Sequence, residues 1–352
     1  MRWKTAPQRR RWGAAFRILR YNEAALAKAL AVSRHERRLS MRYVYAIDVG
    51  GTKVELAVGD ETGRLLATDR VATGDLGRQD AIVAALSERL RTLTPVGIHP
   101  DAVGVGSPGP LDSRAGRLLK PSNLPGWEFL EIENKLSAAM GLPVTLENDA
   151  TAAALGEWQY GAGQGTDDMV YVTVSTGVGA GIIAHGDLIR GAAANAGELG
   201  HVIVNFEGVP CHCGLTGCLE TEASGTALAR MAEERRRESS WLRAHAGPLS
   251  APDVFEALRA GDATAREIVD HAADRLAWAF GTLVNLTNPE RIVVGGGVAA
   301  EGDWLLDPIR RAMPRYAMPD LLSSTTVVQS ALGADVGVAG AVAVALRAGR
   351  KA

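Results

Sequence analysis

The sequence predicts an α/β protein with two similar domains that face each other across a cleft. Residues 46–58 (AIDVGGTKVELAV) and 172–184 (VTVSTGVGAGIIA) both have the pattern of strand, glycine-containing tight turn and strand. Elsewhere, short β-rich runs alternate with helical stretches. A chain of 352 residues is long enough for two domains with separate cores, and 47% hydrophobic and 22% charged residues are typical of a soluble globular protein.

The first half begins as a meander of three strands. A GGTK turn joins the first two strands, and a turn containing Gly63 precedes the third. After the meander, amphipathic spacing predicts helices and short apolar runs predict buried strands. The expected strands are 43–47, 54–58, 65–71, 102–105 and 144–146, and the expected helices are 80–93, 130–140 and 151–160.

In the second half, strands are expected to dominate from 169 to 204. A long helix over 270–286 should end before an Asn-Pro pair, because the residue before a proline disfavours the helical conformation. The apolar run 292–294 predicts a short strand that opens into three glycines. A final helix rich in Ala, Val and Gly is expected over 335–347.

The first forty residues differ from the rest in charge. Residues 1–40 contain eleven Lys/Arg and two Asp/Glu, a net charge of +9, so the other 312 residues carry −11 to give the total of −2. The stretch lacks the apolar core and cleavage site of a secretory signal. Residues 22–34 faintly resemble one helix pair of a helix-turn-helix, but a complete DNA reader needs more chain. We expect 1–40 to be a disordered or wrongly included extension, with a nucleic-acid arm or a targeting sequence as alternatives.

Composition also bounds the location of the protein. Since no apolar run approaches the roughly 18 to 20 residues that span a bilayer, no membrane partner is expected. Only three cysteines occur in the chain, which fits a reducing compartment. The sequence therefore predicts a cytoplasmic protein.

All three cysteines lie in one loop that follows a histidine. Cys211, Cys213 and Cys218 come ten to seventeen residues after His201. Three thiolates and an imidazole form the closed ligand set of a structural Zn²⁺, and three cysteines cannot all pair as disulfides. His212 could compete as the fourth ligand, although its place between two cysteines is poorly suited to facing the same ion. The alternative is a reduced loop with incidental cysteines; we expect a structural zinc site.

The two glycine-containing turns are candidate phosphate sites. Their residues lack side-chain bulk, so backbone N–H groups can approach an anion closely. The first turn, 50–53 (GGTK), is not a Walker A loop, because it lacks the preceding spacing and leads into a strand. Facing each other, the two turns could hold a polyphosphate from both sides. The alternative is that each is an ordinary β-turn.

Asn148 and Asp149 end a short strand and begin a helix. Open α/β sheets bind their ligands at this end of a strand. A carboxylate there can accept the proton of a sugar hydroxyl whose oxygen attacks phosphorus, while the neighbouring amide bonds another hydroxyl. The alternative is that Asp149 merely caps the helix.

Three further polar residues flank the cysteine loop. Glu198 and His201 precede it in GELGH, and Glu220 follows it in GCLE. A metal bound by His201 and the loop would draw the two carboxylates together. With Asn148 and Asp149 they would form an acceptor-rich pocket, in which a substrate that lacks one hydroxyl binds about 1–3 kcal/mol less well. The alternative is a set of solvated surface acids.

Seven motifs, taken together, indicate a family. They are DVGGTK at 48–53, GSPGP at 106–110, PSNLPGW at 121–127, LENDA at 146–150, VSTGVGAGIIAHGDLIRGAAANAGELGH at 174–201, CHCGLTGCLE at 211–220 and VVGGGVA at 293–299. In these motifs, their order and their spacing, the chain from 43 to 347 resembles the sugar kinases of the ROK family. The resemblance implies an actin/hexokinase-type (RNase H-like) fold. It implies an N-terminal domain at 41–149 completed by a helix at 335–350, and a C-terminal domain at 150–334 with the zinc loop.

The resemblance also implies residue roles, with Asp149 as the general base. The implied sugar-binding residues are Gly106, Asn123, Asn148, Asp149, Glu198, His201 and Glu220. The implied nucleotide-binding residues are Asp48, Gly50, Gly51, Thr52, Lys53, Thr176, Gly177, Gly295, Gly296 and Gly297. The implied zinc ligands are His201, Cys211, Cys213 and Cys218. In the family this histidine binds metal with one ring nitrogen and faces the sugar with the other.

The activity implied by the resemblance is transfer of a phosphoryl group from Mg²⁺-bound ATP to the 6-hydroxyl of a hexose, with glucose expected first. Alternatives of the same chemistry are N-acetylglucosamine, N-acetylmannosamine or fructose as acceptor, and polyphosphate as donor. An alternative of another class is a sugar-responsive transcriptional repressor; the basic residues 1–40 favour it, and the retained catalytic motifs oppose it. The resemblance implies a homodimer or homotetramer, and no nucleic-acid partner is expected.

Overall fold

Two five-stranded sheets organise the protein. The computed structural model describes residues 41–121 and 123–348, and the chain from Tyr43 onward forms one compact unit. The first half contains β1 (Tyr43–Val49), β2 (Lys53–Asp60), β3 (Leu65–Ala72), β4 (Val103–Ser107), β5 (Leu111–Asp112), β6 (Arg117–Leu118) and β7 (Val144–Asn148). The second half contains β8 (Met169–Val174), β9 (Val178–Ala184), β10 (Asp187–Leu188), β11 (Arg291–Gly295) and β12 (Thr326–Gln329). The extension 1–40 lies outside the described residues.

The two sheets share one topology. The strand order is β3-β2-β1-β4-β7 in the first sheet and β10-β9-β8-β11-β12 in the second. In the first sheet β1 pairs antiparallel with β2 and parallel with β4. In the second sheet β8 pairs antiparallel with β9 and parallel with β11. The hairpins close at the Val49–Val54 and Val174–Val178 pairs. The repeat that the sequence indicated is therefore a repeat of sheet architecture.

Eleven α-helices surround the sheets in the described part of the chain. They are α1 (Asp80–Leu93), α2 (Ile132–Met140), α3 (Asp149–Tyr160), α4 (Leu219–Ala223), α5 (Gly225–Glu234), α6 (Ser240–Ala244), α7 (Ala251–Arg259), α8 (Ala263–Thr287), α9 (Asp303–Ala312), α10 (Pro319–Leu322) and α11 (Val336–Ala348). The helix α1 has the predicted bounds. In contrast, α8 begins seven residues before its predicted start, because the Asp262 side chain caps it by accepting a hydrogen bond from the backbone N–H of Ala265. None of the described helices is both long and apolar enough to cross a membrane.

The prediction of strands throughout 169–204 is wrong in its last part. Regular strands end at Leu188, and turns and one 3₁₀ turn follow. Three residues of this part have positive φ: Gly191 (71°), Ala194 (58°) and Gly197 (99°). A left-handed residue interrupts the extended conformation that a strand requires. In this loop Ala194, Leu199 and Val204 are buried, whereas Ile189 and Val202 are exposed.

The helices α3 and α11 pack closely on each other. A Cβ on Gly156 of α3 would lie only 2.8 Å from the backbone nitrogen of Gly340 in α11, so glycine allows the two backbones to approach. The helix α11 shares apolar clusters with both sheets: Val342 packs with Val44 of β1, and Val344 with Tyr171 of β8. The expected contact of the last helix with the first sheet is present. The division into domains at 149 and 334 stays a prediction.

Candidate active site

The carboxylate of Asp149 is held at the junction of β7 and α3. Its Oδ1 atom accepts hydrogen bonds from the backbone N–H of Ala150 at 2.8 Å and from the side-chain amide of Asn148 at 3.0 Å. Asn148 in turn caps α3, because its Oδ1 accepts the N–H of Thr151 at 3.1 Å. The alternative in which Asp149 is the helix cap is therefore wrong, and the helix begins at Asp149 instead of Thr151. The cap fixes both side chains relative to the helix end.

A second carboxylate, Asp48 at the end of β1, lies near Asp149. A Cβ on Gly106 of β4 would lie 3.7 Å from Oδ1 of Asp48 and 3.9 Å from Cα of Asp149, so the two acids flank this glycine. Burial raises the pKa of Asp149 above its ordinary value, against the hydrogen bonds that it accepts. Burial, the charge of Asp149 and that of Glu55 raise the pKa of Asp48 to about 7, against the opposing charge of Lys53. The centre therefore favours a ligand that brings protons or positive charge.

The first glycine turn, 50–53, lies beside this acidic centre. The N–H of Gly50 bonds the carbonyl of Lys53 at 2.9 Å, and the hydroxyl of Thr73 bonds the carbonyl of Gly50 at 2.7 Å. Asn123 lies against the turn, since a Cβ on Gly51 would be 3.3 Å from its side-chain nitrogen. Asn123 is therefore placed where its side chain can contact a ligand that binds beside this turn.

The carboxylate of Glu220 lies against the second glycine turn, 175–177. The N–H of Ser175 bonds the carbonyl of Gly177 at 2.9 Å, and Glu220 accepts the N–H of Val178 at 3.0 Å. A Cβ on Gly177 would overlap with the same carboxylate oxygen of Glu220. Glu220 therefore lies on the turn that was expected to bind phosphate. Its role as a sugar ligand stays a prediction.

The strand β9 is the surface on which the helix of Asp149 packs. A Cβ on Gly179 would lie 3.0 Å from the Cβ of Ala150, the residue after Asp149. One turn further along, a Cβ on Gly181 would lie 2.5 Å from the Cβ of Ala154. Glycines on the strand thus let the first two turns of α3 approach its backbone.

The GELGH segment lies on the same strand. A Cβ on Gly197 would overlap with the carbonyl oxygen of Ala180, and one on Gly200 would overlap with that of Val178. These glycines allow a backbone contact that a larger residue would prevent. Residues 178–181 therefore bring together the start of α3, the segment with Glu198 and His201, and the carboxylate of Glu220.

The four expected zinc ligands form one cluster. Nδ1 of His201 is 3.6 Å from Sγ of Cys211, Sγ of Cys213 is 3.6 Å from Sγ of Cys218, and the ligand atoms of all four lie within 4.8 Å of one another. Tetrahedral zinc–thiolate geometry with bonds of about 2.3 Å requires separations of about 3.7 Å between ligand atoms. The residues present therefore fit a structural Zn²⁺.

His201 joins this cluster to the candidate sugar site. While Nδ1 faces Cys211, Nε2 on the opposite side of the ring lies 4.0 Å from the carboxylate of Glu198. His212 lies between the cluster and another acid, with its Nδ1 3.8 Å from Sγ of Cys211 and 3.4 Å from Glu220. The residues Cys211, His212 and Glu220 form a second group that could hold a metal. His212 thus stays a geometric competitor of His201.

A third glycine turn follows β11 and contacts the second one, since a Cβ on Gly297 would lie 3.7 Å from Oγ of Ser175. Gly296 has a φ of 92°, and a Cβ on it would lie 2.5 Å from the carbonyl oxygen of Val174. Next to these two turns is a cavity of about 350 Å³. Its apolar wall consists of Ala229, Leu249, Pro252, Phe255 and Val298.

Most of this cavity was not predicted from the sequence. The helices α5 and α7, which supply much of its wall, were not expected, although both begin with recognisable signals. Ser224 caps α5 by accepting the N–H of Ala227, and Ser250 and Asp253 form a capping box at α7. Those signals could have located the helices, but not the cavity between them.

Comparisons with known proteins match nearly the whole described chain. The model of the ROK family matches residues 44–348. A glucokinase from Halalkalibacterium halodurans is 39% identical over 320 residues, which cover 86% of this chain and 94% of the relative. The crystal structure of a ROK hexokinase from Thermus thermophilus is 36% identical, with a TM-score of 0.76 over 88% of this chain and 100% of that one. A ROK family glucokinase from Streptomyces griseus, in complex with glucose and AMPPNP, is 35% identical, with a TM-score of 0.74 over 87% and 99%.

Proposed function

The chain belongs to the ROK family, and from that premise we propose that it is an ATP-dependent glucokinase. It transfers the γ-phosphoryl group of ATP to the 6-hydroxyl of glucose. The similar proteins from Halalkalibacterium halodurans and Streptomyces griseus are glucokinases, and the latter holds glucose and AMPPNP. The observation that supports the proposal most is the convergence on β9: a helix that starts at a buried aspartate, the GELGH segment and the second glycine turn meet there.

Asp149 acts as the general base. The 6-hydroxyl oxygen attacks the γ-phosphorus, its proton passes to Asp149, and the bond from phosphorus to the bridging oxygen of ADP breaks. Burial raises the pKa of this carboxyl, which makes it a stronger base near neutral pH. Its hydrogen bonds from Ala150 and Asn148 orient the carboxylate before the sugar binds.

Nucleoside triphosphate is the donor that suits the second sheet. The cavity beside the second and third glycine turns has an apolar wall with Phe255, which suits an adenine ring better than inorganic polyphosphate. We assign the phosphates to the turns at 50–53 and 175–177, because their glycines leave the backbone without side-chain bulk. Mg²⁺, when bound with the nucleotide, neutralises the phosphate charge. The acidic centre of Asp48 and Asp149 suits the Mg²⁺ ion, whose positive charge offsets the charge of the two carboxylates.

The zinc cluster has a positioning role in this proposal. When bound, structural Zn²⁺ crosslinks the loop through Cys211, Cys213, Cys218 and His201. His201 then presents Nε2 toward Glu198 and the sugar hydroxyls. Because Glu198 is largely exposed, it depends on such neighbours for its position.

A panel of hexoses and phosphoryl donors, with the Asp149→Asn variant, tests the proposal. We expect glucose with ATP to give the highest kcat/KM. Loss of the base should lower kcat by about 10²- to 10⁴-fold, while glucose binding and the melting temperature stay near those of the wild type. A kcat/KM higher than that of glucose for N-acetylglucosamine, N-acetylmannosamine or fructose would identify that sugar as the acceptor. A kcat/KM higher than that of ATP for polyphosphate would identify polyphosphate as the donor. Full activity of Asp149→Asn would refute the base assignment.

A sugar-responsive repressor remains the alternative of another class. It predicts DNA binding that is relieved by sugar and persists in moderate salt. The glucokinase proposal predicts turnover without such binding. A homodimeric or homotetrameric assembly and a cytoplasmic location stay predictions; light scattering of the purified protein measures the first.

A further inference from the structure

A partly buried ion pair connects the Asp149 junction to the loop that precedes GELGH. The guanidinium of Arg190 donates from Nε to Oε2 of Glu147 at 2.9 Å, and the Glu147 side chain is only 2% exposed. The other carboxylate oxygen of Glu147 accepts the backbone N–H of Asn148 at 3.2 Å. One carboxylate therefore contacts both the residue that orients Asp149 and an arginine 43 positions later in the chain.

Arg190 stands at the base of a closed loop. The N–H of Ala196 donates to the carbonyl of Arg190 at 3.0 Å, and this hydrogen bond closes the loop 190–196. Gly197 and Glu198 follow the loop directly in the chain. On the entry side, the N–H of Ile189 bonds the carbonyl of Ile182 in β9 at 2.9 Å. Residues 190–196 therefore connect the Arg190–Glu147 ion pair to the backbone that carries Glu198.

The Glu198 side chain is 64% exposed, and its carboxylate lies 4.0 Å from Nε2 of His201. Its own contacts thus constrain the side chain weakly. Its backbone is supported by the packing of Gly197 and Gly200 on β9 and, on the other side, by the loop 190–196. An ion pair between a buried carboxylate and a partly exposed arginine is in general a poor source of net stability, since desolvation and solvent screening offset much of the attraction. Such a pair is better explained by the geometry that it enforces.

We propose that Arg190 is a positioning residue for the sugar: through Glu147 it fixes the distance between the Asn148–Asp149 acceptors and Glu198. The inference rests on the proposed sugar kinase function. It predicts that loss of the pair weakens sugar binding more than it lowers kcat or alters the KM for ATP.

The test uses Arg190→Met, Arg190→Lys and the double variant Glu147→Gln with Arg190→Met in the full-length protein. Arg190→Met should raise both the KM and the Kd for glucose at least about tenfold, since a misplacement of about 1 Å can cost about 100-fold. The KM for ATP and the zinc content should change less than twofold. Arg190→Lys, which keeps the charge, should restore part of the affinity.

The double variant separates positioning from stability. It removes both charges, so its melting temperature should recover toward that of the wild type, whereas glucose binding should stay weak. Arg89→Met, which breaks the 2.7 Å pair with Asp69 on the first sheet, is the matched control and should leave the glucose KM unchanged.

Two results would overturn the proposal: an unchanged glucose KM in the variants, or recovery of glucose affinity together with the melting temperature in the double variant. If Arg190→Met fails to fold, the lysine and double variants decide. A wild-type protein that does not phosphorylate glucose contradicts the glucokinase proposal instead, and the same comparison is then made with the hexose that the panel selects.

Discussion

At the scale of single residues, the acidic centre is where the site differs most from a solvent-exposed surface. Asp48 and Asp149 both lie by Gly106, and burial is the largest cause of the raised pKa of each. Two neighbouring carboxyls resist simultaneous ionisation, so the free protein retains protons that an exposed pair would lose. A cationic or proton-donating ligand relieves this cost.

Asp48→Asn should stabilise the free protein at alkaline pH. The folded-state pKa of Asp48 is about 7 against an ordinary value of 3.8, so between these values the folded state binds more protons than the unfolded state. Stability from this group is therefore present below the ordinary pKa and is lost as pH rises to about 7. Melting temperatures from pH 4 to 8 should show an increasing advantage of the variant over the wild type.

The exposed carboxylate of Asp75 supplies the control for that pH series. Asp75→Asn should follow the wild type across the range. If Asp48→Asn gives a constant difference at all pH values, the carboxyl does not titrate in this window.

At the scale of elements, α11 supports the site although it carries none of the predicted site residues. A Cβ on Gly337, in its first turn, would overlap with the carboxylate of Asp48. The start of this helix therefore packs directly on a site residue. Glycine is needed here because there is no room for a side chain.

Gly337→Ala should destabilise the protein and lower its activity. In an exposed helix the same change adds about 0.5–1 kcal/mol of stability, whereas overpacking costs about 1–3 kcal/mol. Urea unfolding and kcat/KM measure the two effects. Gly74→Ala, where a Cβ meets nothing within 4 Å, should leave both unchanged. A more stable Gly337→Ala would show that Asp48 moves freely away.

The zinc loop permits a test of its ligands. Cys213→Ser should release zinc and lower the melting temperature, because one of four ligands is lost. His212→Asn should retain zinc if His201 is the fourth ligand, whereas His201→Asn should not. Elemental analysis and thermal unfolding of the purified variants measure both. Zinc retained by Cys213→Ser would contradict the assignment.

At the scale of the whole molecule, the two sheets share one topology. The helix α11 belongs to an apolar cluster with each sheet, and α3 belongs to the cluster with the second sheet. The glycine turn before β2 belongs to the first sheet, whereas the turns before β9 and after β11 belong to the second sheet. A site assembled from two similar sheets can hold two substrates at once, as phosphoryl transfer requires.

Deletion of residues 1–40 should leave kcat/KM for glucose and the melting temperature unchanged. The family match begins at residue 44, after this basic stretch. The full-length and shortened proteins can be compared in one coupled assay. A large loss of activity would show that the extension contributes to the enzyme.

The prediction of a ROK family sugar kinase with an α/β fold is confirmed by the family match and the structural relatives. Most elements of the first half were predicted within two residues, because each has its own periodicity or turn. The helices between 219 and 262 were not expected, although α5 and α7 carry local capping signals. The individual roles of the site residues stay predictions.

The sequence by itself determined the family, the repeated hairpins and the grouping of one histidine with three cysteines, since these depend on residue type and spacing along the chain. Only the tertiary structure decided that Glu220 lies on the second glycine turn, that Asn148 caps α3, and that Arg190 pairs with Glu147. The contacts of Glu220 and Arg190 join segments more than forty residues apart, and the cap of Asn148 depends on where the chain turns from β7 into α3. Spacing along a chain carries no direct record of such distances.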